Sequence, residues 1–295
     1  MDTRGAVVVT GASSGIGRAA ALLLARRGWL VFAGVRRASD GAALAVAAGA
    51  LGVGALLLPR LLDVTDAASV AAAADEVGVA LAARGIRLTG LVNNAGIAVA
   101  GPLEEVPIAR LRQVLEVNVV GAVAVTQALL PLLRQGRGRI VNISSVAGRV
   151  ASPFLGPYAA SKFALEALSD ALRVELAPWG LAVVLIEPGP VATSIWGKGE
   201  ALVEADRVGV GDDSPYAPRI EQLRAAFRRN ARRGMAAEAV AEVIVRALEV
   251  PHPRVRYMIG RNRVAVALLA RLVPDRLRDR ILTGRSGGRA RQGRR

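Results

Sequence analysis

Tyr158 and Lys162 stand four residues apart on a segment that reads as a helix opening after Pro157. An i, i+4 pair shares one helix face. There the ammonium favours phenolate, drawing a phenol that ordinarily titrates at roughly 10 toward the range where it exchanges protons with an alcohol or carbonyl. Ser145, thirteen residues upstream and just past an extended apolar run, supplies a hydroxyl. An exposed helical surface is the commoner origin of a lone Tyr–Lys pair, so the weight falls on what accompanies it.

Composition removes the competing chemistries. The chain has no cysteine and one histidine, so a disulfide framework, a thiolate zinc site, a Cys–His pair and a multi-histidine centre are excluded, and no metal is expected. A Ser-His-Asp triad would need His252, whose place in Pro251-His252-Pro253 reads as a rigid surface turn. Acid–base work is therefore left to Tyr, Lys, Asp or Glu. Lysines number only two, Lys162 and Lys198, beside 37 arginines.

A second constellation, Thr10-Gly11-Ala12-Ser13-Ser14-Gly15-Ile16-Gly17, lies between an apolar run and a helical pattern. Glycines let backbone turn tightly and approach a pyrophosphate, while free N–H groups and the helix dipole favour its charge. Apolar runs at Ala6–Thr10, Leu30–Val35, Arg60–Leu62, Leu88–Val92, Arg139–Ile143, Ala182–Glu187 and Val255–Ile259 read as strands. Several lack alternation, as expected when helices cover both faces of a sheet. Helical patterns at Ile16–Arg27, Asp66–Arg84, Ile108–Leu133, Tyr158–Ala177 and Ala236–Leu248 separate them, with Gly28, Gly85 and Gly180 at C-terminal caps. The alternation predicts an α/β doubly wound parallel sheet of Rossmann type, three layers in one domain over residues 1–262.

Three regions leave this rhythm. Residues 195–234 form a polar, Gly- and Pro-containing insertion, a candidate substrate loop or lid, with Ile195, Trp196, Leu202, Val203 and Val208 as its apolar contacts. Residues 263–295 comprise an apolar segment, Val264–Val273, and an Arg- and Gly-rich end expected to be disordered. From Arg271 onward, nine arginines and two aspartates supply about half of the net +15. No interleaved aromatics accompany them, so nucleic acid is not an expected partner. The uncharged stretch Gly41–Pro59 is rich in Ala and Gly and reads as a helix, turn and strand rather than a membrane span. Met1-Asp2-Thr3-Arg4 leads at once into the first strand, which fits a cytoplasmic chain, with peripheral membrane contact left open.

The motifs occur in an order that resembles the classical short-chain dehydrogenase/reductases from about Val7 to Gly260: the Gly11–Gly17 turn, Asp63, Asn93-Asn94-Ala95-Gly96, Asn118, Ser145, Tyr158-x-x-x-Lys162, and Pro188-Gly189 with Thr193. The resemblance implies an NAD(P)-dependent oxidoreductase. It makes Tyr158 the proton-exchanging group, Ser145 the partner of the substrate oxygen, and Lys162 the holder of the nicotinamide ribose. Lys162 and the oxidised ring would together depress the phenol's pKa. Asn118 would position a water leading protons to Lys162. Gly11, Ser13, Ser14, Gly15, Ile16 and Gly17 would cradle the pyrophosphate, and Asp63 and Val64 would meet the adenine. Asn93 would hold the turn after the fourth strand beside the cofactor, with Ala95 and Gly96 also in contact with it. Pro188, Gly189, Val191 and Thr193 would bracket the nicotinamide, Thr193 reaching its carboxamide.

NAD-using relatives carry an acid at the end of the second strand, where this chain has Val35 followed by Arg36 and Arg37. Both arginines could pair with a 2′-phosphate, which favours NADP over NAD. The stretches Val31–Arg36 and Pro153–Tyr158 are similar to the retinol and hydroxysteroid dehydrogenase branch and imply an apolar, lipid-like alcohol or carbonyl. The alternatives are a ketoacyl or small-carbonyl reductase, or a non-catalytic nucleotide-binding regulator. By the same resemblance, the helices Ile108–Leu133 and Tyr158–Ala177, with apolar residues such as Leu111, Val114, Phe163 and Leu172, would pair with symmetry mates in a homodimer or homotetramer.

Overall fold

The computed structural model describes residues 3–195, 214–261 and 263–285, together with 197, 201 and 205. Seven strands, β1 (Ala6–Val9), β2 (Leu30–Val35), β3 (Leu57–Leu61), β4 (Leu88–Asn93), β5 (Arg139–Ile143), β6 (Ala182–Pro188) and β7 (Arg256–Ile259), form one sheet in the order β3-β2-β1-β4-β5-β6-β7. Every pairing is parallel. The unbroken apolar runs have the expected cause. Val7 and Val9 point into one core with residues of α1 (Gly15–Arg26) and α8 (Ala237–Glu249), whereas Ala6 and Val8 point into another with α3 (Ala67–Ala82) and α5 (Gly121–Gly136). Each fully buried Val or Leu on these faces contributes roughly 2 kcal/mol relative to exposure. Three layers result.

The stretch from Gly41 resolves as expected into helix α2 (Ala38–Ala50), a short 3-10 turn and β3. β3 begins earlier than expected, at Leu57, because its register against β2 pairs Val31 with Leu57 and Val35 with Leu61. The long helical pattern from Ile108 is α4 (Ile108–Leu115) running through a π turn, Glu116–Val120, into α5. By length and composition this segment could cross a membrane, yet its Val114, Val125, Leu129 and Leu133 belong to the core and Asn118 is buried. It is a helix of the outer layer, packed on β4.

Two expectations fail here. Within 195–234, residues 217–233 form a regular helix, α7 (Ala217–Arg233), whose Ile220 and Phe227 pack against Ala100 and Leu155, so this half is not a loop. Spacing explains it, since Ile220, Leu223 and Phe227 repeat on one helix face. Trp196, Leu202, Val203 and Val208 lie outside the described residues. Beyond Pro274 the chain continues as helix α10 (Asp275–Arg285) after α9 (Arg263–Leu272), so disorder does not begin there. Leu282 and Val266 meet the same cavity, and this apolar contact outweighs the polar composition.

Candidate active site

Strand order reverses between β1 and β4, and a crevice opens at the carboxyl ends of the strands there. It holds a cavity of about 440 Å³, within the range of small-molecule sites. On one flank lie the turn after β1, the end of β2 and the end of β3. The loops after β4, β5 and β6 form the other.

The turn after β1 is held by side chains of its neighbour. Thr10 Oγ1 accepts the backbone N–H groups of Asn94 and Ala95 at 3.0 and 2.9 Å, and Asn94 Nδ2 donates to the carbonyls of Thr10 and Gly11 at 2.9 and 3.2 Å. Gly11 has φ +64°, and a Cβ there would stand 2.8 Å from Ala95 Cα. A Cβ on Gly17 would stand 2.3 Å from the Gly11 carbonyl, so Gly17 shapes the turn without reaching the cavity wall. Ser14, the N-cap of α1, makes no side-chain capping bond and leaves the first helical N–H groups open toward the cavity. Gly11, Ser13, Ser14, Gly15 and Ile16 line the wall. This cradle fits a dinucleotide's pyrophosphate.

At the end of β2, Arg36 lines the cavity beside Asp63, while Arg37 turns away into a bidentate pair with Asp40 at 2.9 and 3.0 Å. The expected role of Arg37 is thereby corrected: an acid one helical turn on, inside α2, captures its guanidinium. Asp63 accepts from Thr65 N and Thr65 Oγ1 at 3.0 and 2.8 Å. Burial pushes its carboxyl up, but these hydrogen bonds and Arg36 outweigh it and hold the group below the usual carboxylate range. Val64 lies next to it on the wall.

Ala95 and Gly96 reach the cavity and Asn93 does not. Its Nδ2 donates to Thr126 Oγ1 and Asn142 Oδ1, both at 2.9 Å, beneath the sheet end, so it fastens α5 to β4 and β5 instead of facing a cofactor. Asn118 is likewise off the wall. Its carboxamide accepts from Ile97 N at 2.8 Å and donates to Ile97 O and Ser161 Oγ at 2.9 Å each. This geometry ties the loop after β4 to the helix of Tyr158 and contains no direct contact with Lys162. Asn94 was not singled out by sequence reasoning beyond its motif; its two bonds to the glycine turn are the contact that joins both flanks.

Tyr158, Lys162 and Ser145 converge. Helix α6 (Gly156–Leu176) presents Tyr158 and Lys162, respectively 8% and 5% exposed, with Lys162 Nζ 5.8 Å from the Tyr158 ring centroid. Nζ donates to Ile143 O at 2.8 Å, and Ser145, at the start of a 3-10 turn after β5, hydrogen-bonds the Tyr158 phenol. Burial pushes the phenol up from its ordinary value, against the Ser145 bond. Lys162 is lowered to about 8 by burial, against the attraction of Glu166. The depression of Tyr158 expected from Lys162 is therefore not what these side chains produce between themselves; desolvation of the phenol is the larger effect.

Pro188, Gly189, Val191 and Thr193 form the wall after β6. Beyond these the lining is mainly apolar, with Ala147, Val150, Leu155 and Ile195, then Leu223 and Phe227 of α7, then Val266, Leu269 and Leu282, interrupted by Ser152, Ser194 and Asn230. Of these pocket residues only Ile195 was singled out from sequence; Leu223 and Phe227 fall within the expected substrate segment 195–234, and Val266 and Leu269 within the apolar stretch Val264–Val273 expected near it.

A parallel doubly wound sheet with an open glycine cradle at its switch point, facing a buried Tyr–Lys pair with Ser145 beside it, defines a nicotinamide-dependent oxidoreductase. The family model of the short chain dehydrogenases matches residues 5–201. The chain is 38% identical over 279 residues to the NADPH-dependent 3-dehydrocapnine reductase of Ornithobacterium rhinotracheale, covering 93% of this chain and 94% of that one. It is 37% identical to retinol dehydrogenase 5 of Mus musculus, over 94% of this chain and 87% of that one. A short chain dehydrogenase/reductase from Burkholderia phymatum in complex with NAD superimposes with a TM-score of 0.76 at 29% identity, covering 90% and 92% of the two chains. The chain belongs to the short-chain dehydrogenase/reductase family and is an NAD(P)-dependent enzyme.

Proposed function

We propose that this enzyme interconverts an apolar, lipid-like alcohol and its carbonyl compound, using NADP, with Tyr158 exchanging the proton. The observation that carries this reading is the meeting of Tyr158, Ser145 and Lys162 at one end of a pocket whose remaining wall is largely apolar. A bound nicotinamide dinucleotide supplies or accepts the hydride and, when oxidised, brings a positive charge. Gly11, Ser13, Ser14, Gly15 and Ile16 would hold its pyrophosphate, Asp63 and Val64 its adenine, Ala95 and Gly96 its middle, and Pro188, Gly189, Val191 and Thr193 its nicotinamide, with Lys162 at the ribose. Ser145 and Tyr158 then hold the substrate oxygen, and Tyr158 gives its proton to an alkoxide formed on reduction or takes one from an alcohol on oxidation. Asn118 serves as a positioning residue.

A panel of alcohols and ketones of increasing chain length tests the substrate class. kcat/KM is expected to rise with apolar length, and Phe227→Ala should cut it about tenfold or more for the longest substrates while leaving short ones and dinucleotide affinity unchanged. A preference for short polar carbonyls, insensitive to Phe227, would favour a small-carbonyl reductase instead.

The same reading makes the enzyme a cytoplasmic homodimer or homotetramer. Of the residues expected to face a second copy, Val114 is buried within the chain and Leu111 and Leu172 pack against its core clusters, leaving Phe163 exposed. Val120, Leu168 and Val174 are exposed as well, a larger apolar surface than the outer side of α5 and α6 needs in water. Sedimentation velocity at micromolar protein is expected to show two or four chains; a monomer rejects the assembly.

A further inference from the structure

We propose that Glu166 and Glu187, joined through Arg256, form a positioning pair that holds the Tyr158–Lys162 face of α6 against the Pro188–Gly189 wall and whose charge sets how firmly Lys162 keeps its proton. The proposal starts from a stripe on α6: Tyr158, Lys162, Glu166 and Asp170 follow one another at i+4, so four ionisable groups run along the helix from the pocket to its half-exposed far end at Asp170. Lys162 and Glu166 are neighbours in this stripe. Glu187 is the residue before Pro188 on β6 and is 1% exposed, and Glu166 is 5% exposed. Two carboxyl groups this deeply buried require partners.

The partners come from every element around them. From β7, Arg256 Nε lies 3.1 Å from Glu166 Oε2 and 3.2 Å from Glu187 Oε1, and its Nη2 binds both oxygens of Asp170 at 2.7 Å. From the loop after β5, Arg149 Nη1 lies 3.8 Å from Glu166 Oε2. A Cβ on Gly148, in that same loop, would stand 3.2 Å from Glu166 Cγ, so the Ser145 loop is packed onto the stripe as well. Arg256 thus ties α6, β6 and β7 together behind Lys162, and Ser145 Oγ donates to the carbonyl of Pro188, the residue after Glu187, at 3.4 Å.

These cations leave the two glutamates facing each other. One oxygen of each, Oε1, is buried without a well-formed hydrogen bond, Glu187 Oε1 keeping only its ion pair with Arg256. Burial, then the charge of Glu166, lift Glu187 to about 7, against Arg149 and Arg256. Below that pH the pair holds a proton between two carboxyl groups; above it the pair carries a second negative charge. The sign for Lys162 follows: added negative charge behind the ammonium favours the charged form, so ionisation of the pair raises the midpoint at which Lys162 loses its proton.

The inference rests on the reading that Lys162 serves Tyr158, but its test does not require activity. With only two lysines in the chain, protein carrying 13C at lysine Cε gives signals from Lys162 and Lys198 alone, and Lys162→Arg assigns them. In the wild type, the Lys162 signal is expected to show a first inflection near 7 from the pair and its own midpoint near 8. Glu187→Gln should remove the first inflection, and Glu166→Gln should lower the midpoint by about one unit, the loss of one nearby opposite charge. The basic limb of kcat/KM for carbonyl reduction should move to lower pH with it. A wild-type titration in a single step, or a Lys162 midpoint that stays put in folded Glu166→Gln, overturns the proposal. An unfolded glutamine variant leaves the wild-type titration to decide. If Tyr158→Phe remained active, the catalytic reading would fail while the lysine titration stood unaffected, so the two failures are separable.

Discussion

Tyr158→Phe is expected to lower turnover by at least about a hundredfold, the lower end of what a positioned acid or base contributes, while dinucleotide affinity stays near that of the wild type. The substitution removes the hydroxyl and keeps a ring that is packed with Ala98, Ala147 and Ala159, so the loss is chemical. Because burial holds the phenol protonated beyond its ordinary range, the reductive direction should be flat through neutral pH. The oxidative direction, which needs the phenol to accept a proton, should gain as pH rises. Lys162→Ala should behave differently and impair both turnover and dinucleotide affinity. Steady-state rates over pH, combined with cofactor titration by fluorescence, check all of this. A folded Phe variant with near-normal turnover on a proven substrate removes Tyr158 from the mechanism.

Arg36→Ser is expected to weaken NADPH by about tenfold to a hundredfold, the worth of a charge-assisted hydrogen bond, and to leave NADH nearly unchanged. Arg36 lines the cavity at the end of β2, where Val35 leaves no carboxylate to receive a ribose hydroxyl. Arg37→Ser should matter far less, since Arg37 is held by Asp40 and does not reach the cavity. Sequence alone put Arg36 first and kept Arg37 beside it as a second candidate, and the contrast between the two variants is now the sharper test. The NADPH loss should shrink as salt rises, because Arg36 is solvent-exposed. Equal losses for the two cofactors, or a wild-type preference for NADH, would reject the assignment.

The strands and the cradle were legible because their causes are local. Uninterrupted Val, Ile and Leu runs at Ala6–Val9 and Ala182–Pro188 specify strands covered on both faces, and a glycine between strand and helix specifies a turn that only a residue without Cβ can make. The i, i+4 spacing likewise placed Tyr158 and Lys162 on one face before any packing was known. Family order then supplied the partners of this pair, and Ser145 stands where that order put it.

Other features had no local signature. Whether Arg36 or Arg37 faces the cavity depends on a competing carboxylate, Asp40, and on the exit angle of α2. Asn93 and Asn118 carry the same amide as Asn94, but only packing decides which bonds each can still make: Asn93 is spent on Thr126 and Asn142, Asn118 on Ile97 and Ser161, Asn94 on the glycine turn. The phenol's titration has the same kind of dependence, since sequence spacing reports a neighbouring charge and says nothing of desolvation, which among these side chains acts in the opposite direction and is the larger effect. Glu166, Glu187 and Arg256, far apart along the chain, meet because β6 and β7 pair and α6 packs over them. What the amino-acid order determined by itself was the class of fold, the cradle and the shared face of Tyr158 and Lys162, all set by short-range sterics and periodicity; which polar groups remain available to a ligand was decided only by tertiary packing, because a buried donor or acceptor is claimed by whichever partner the fold brings within hydrogen-bond reach.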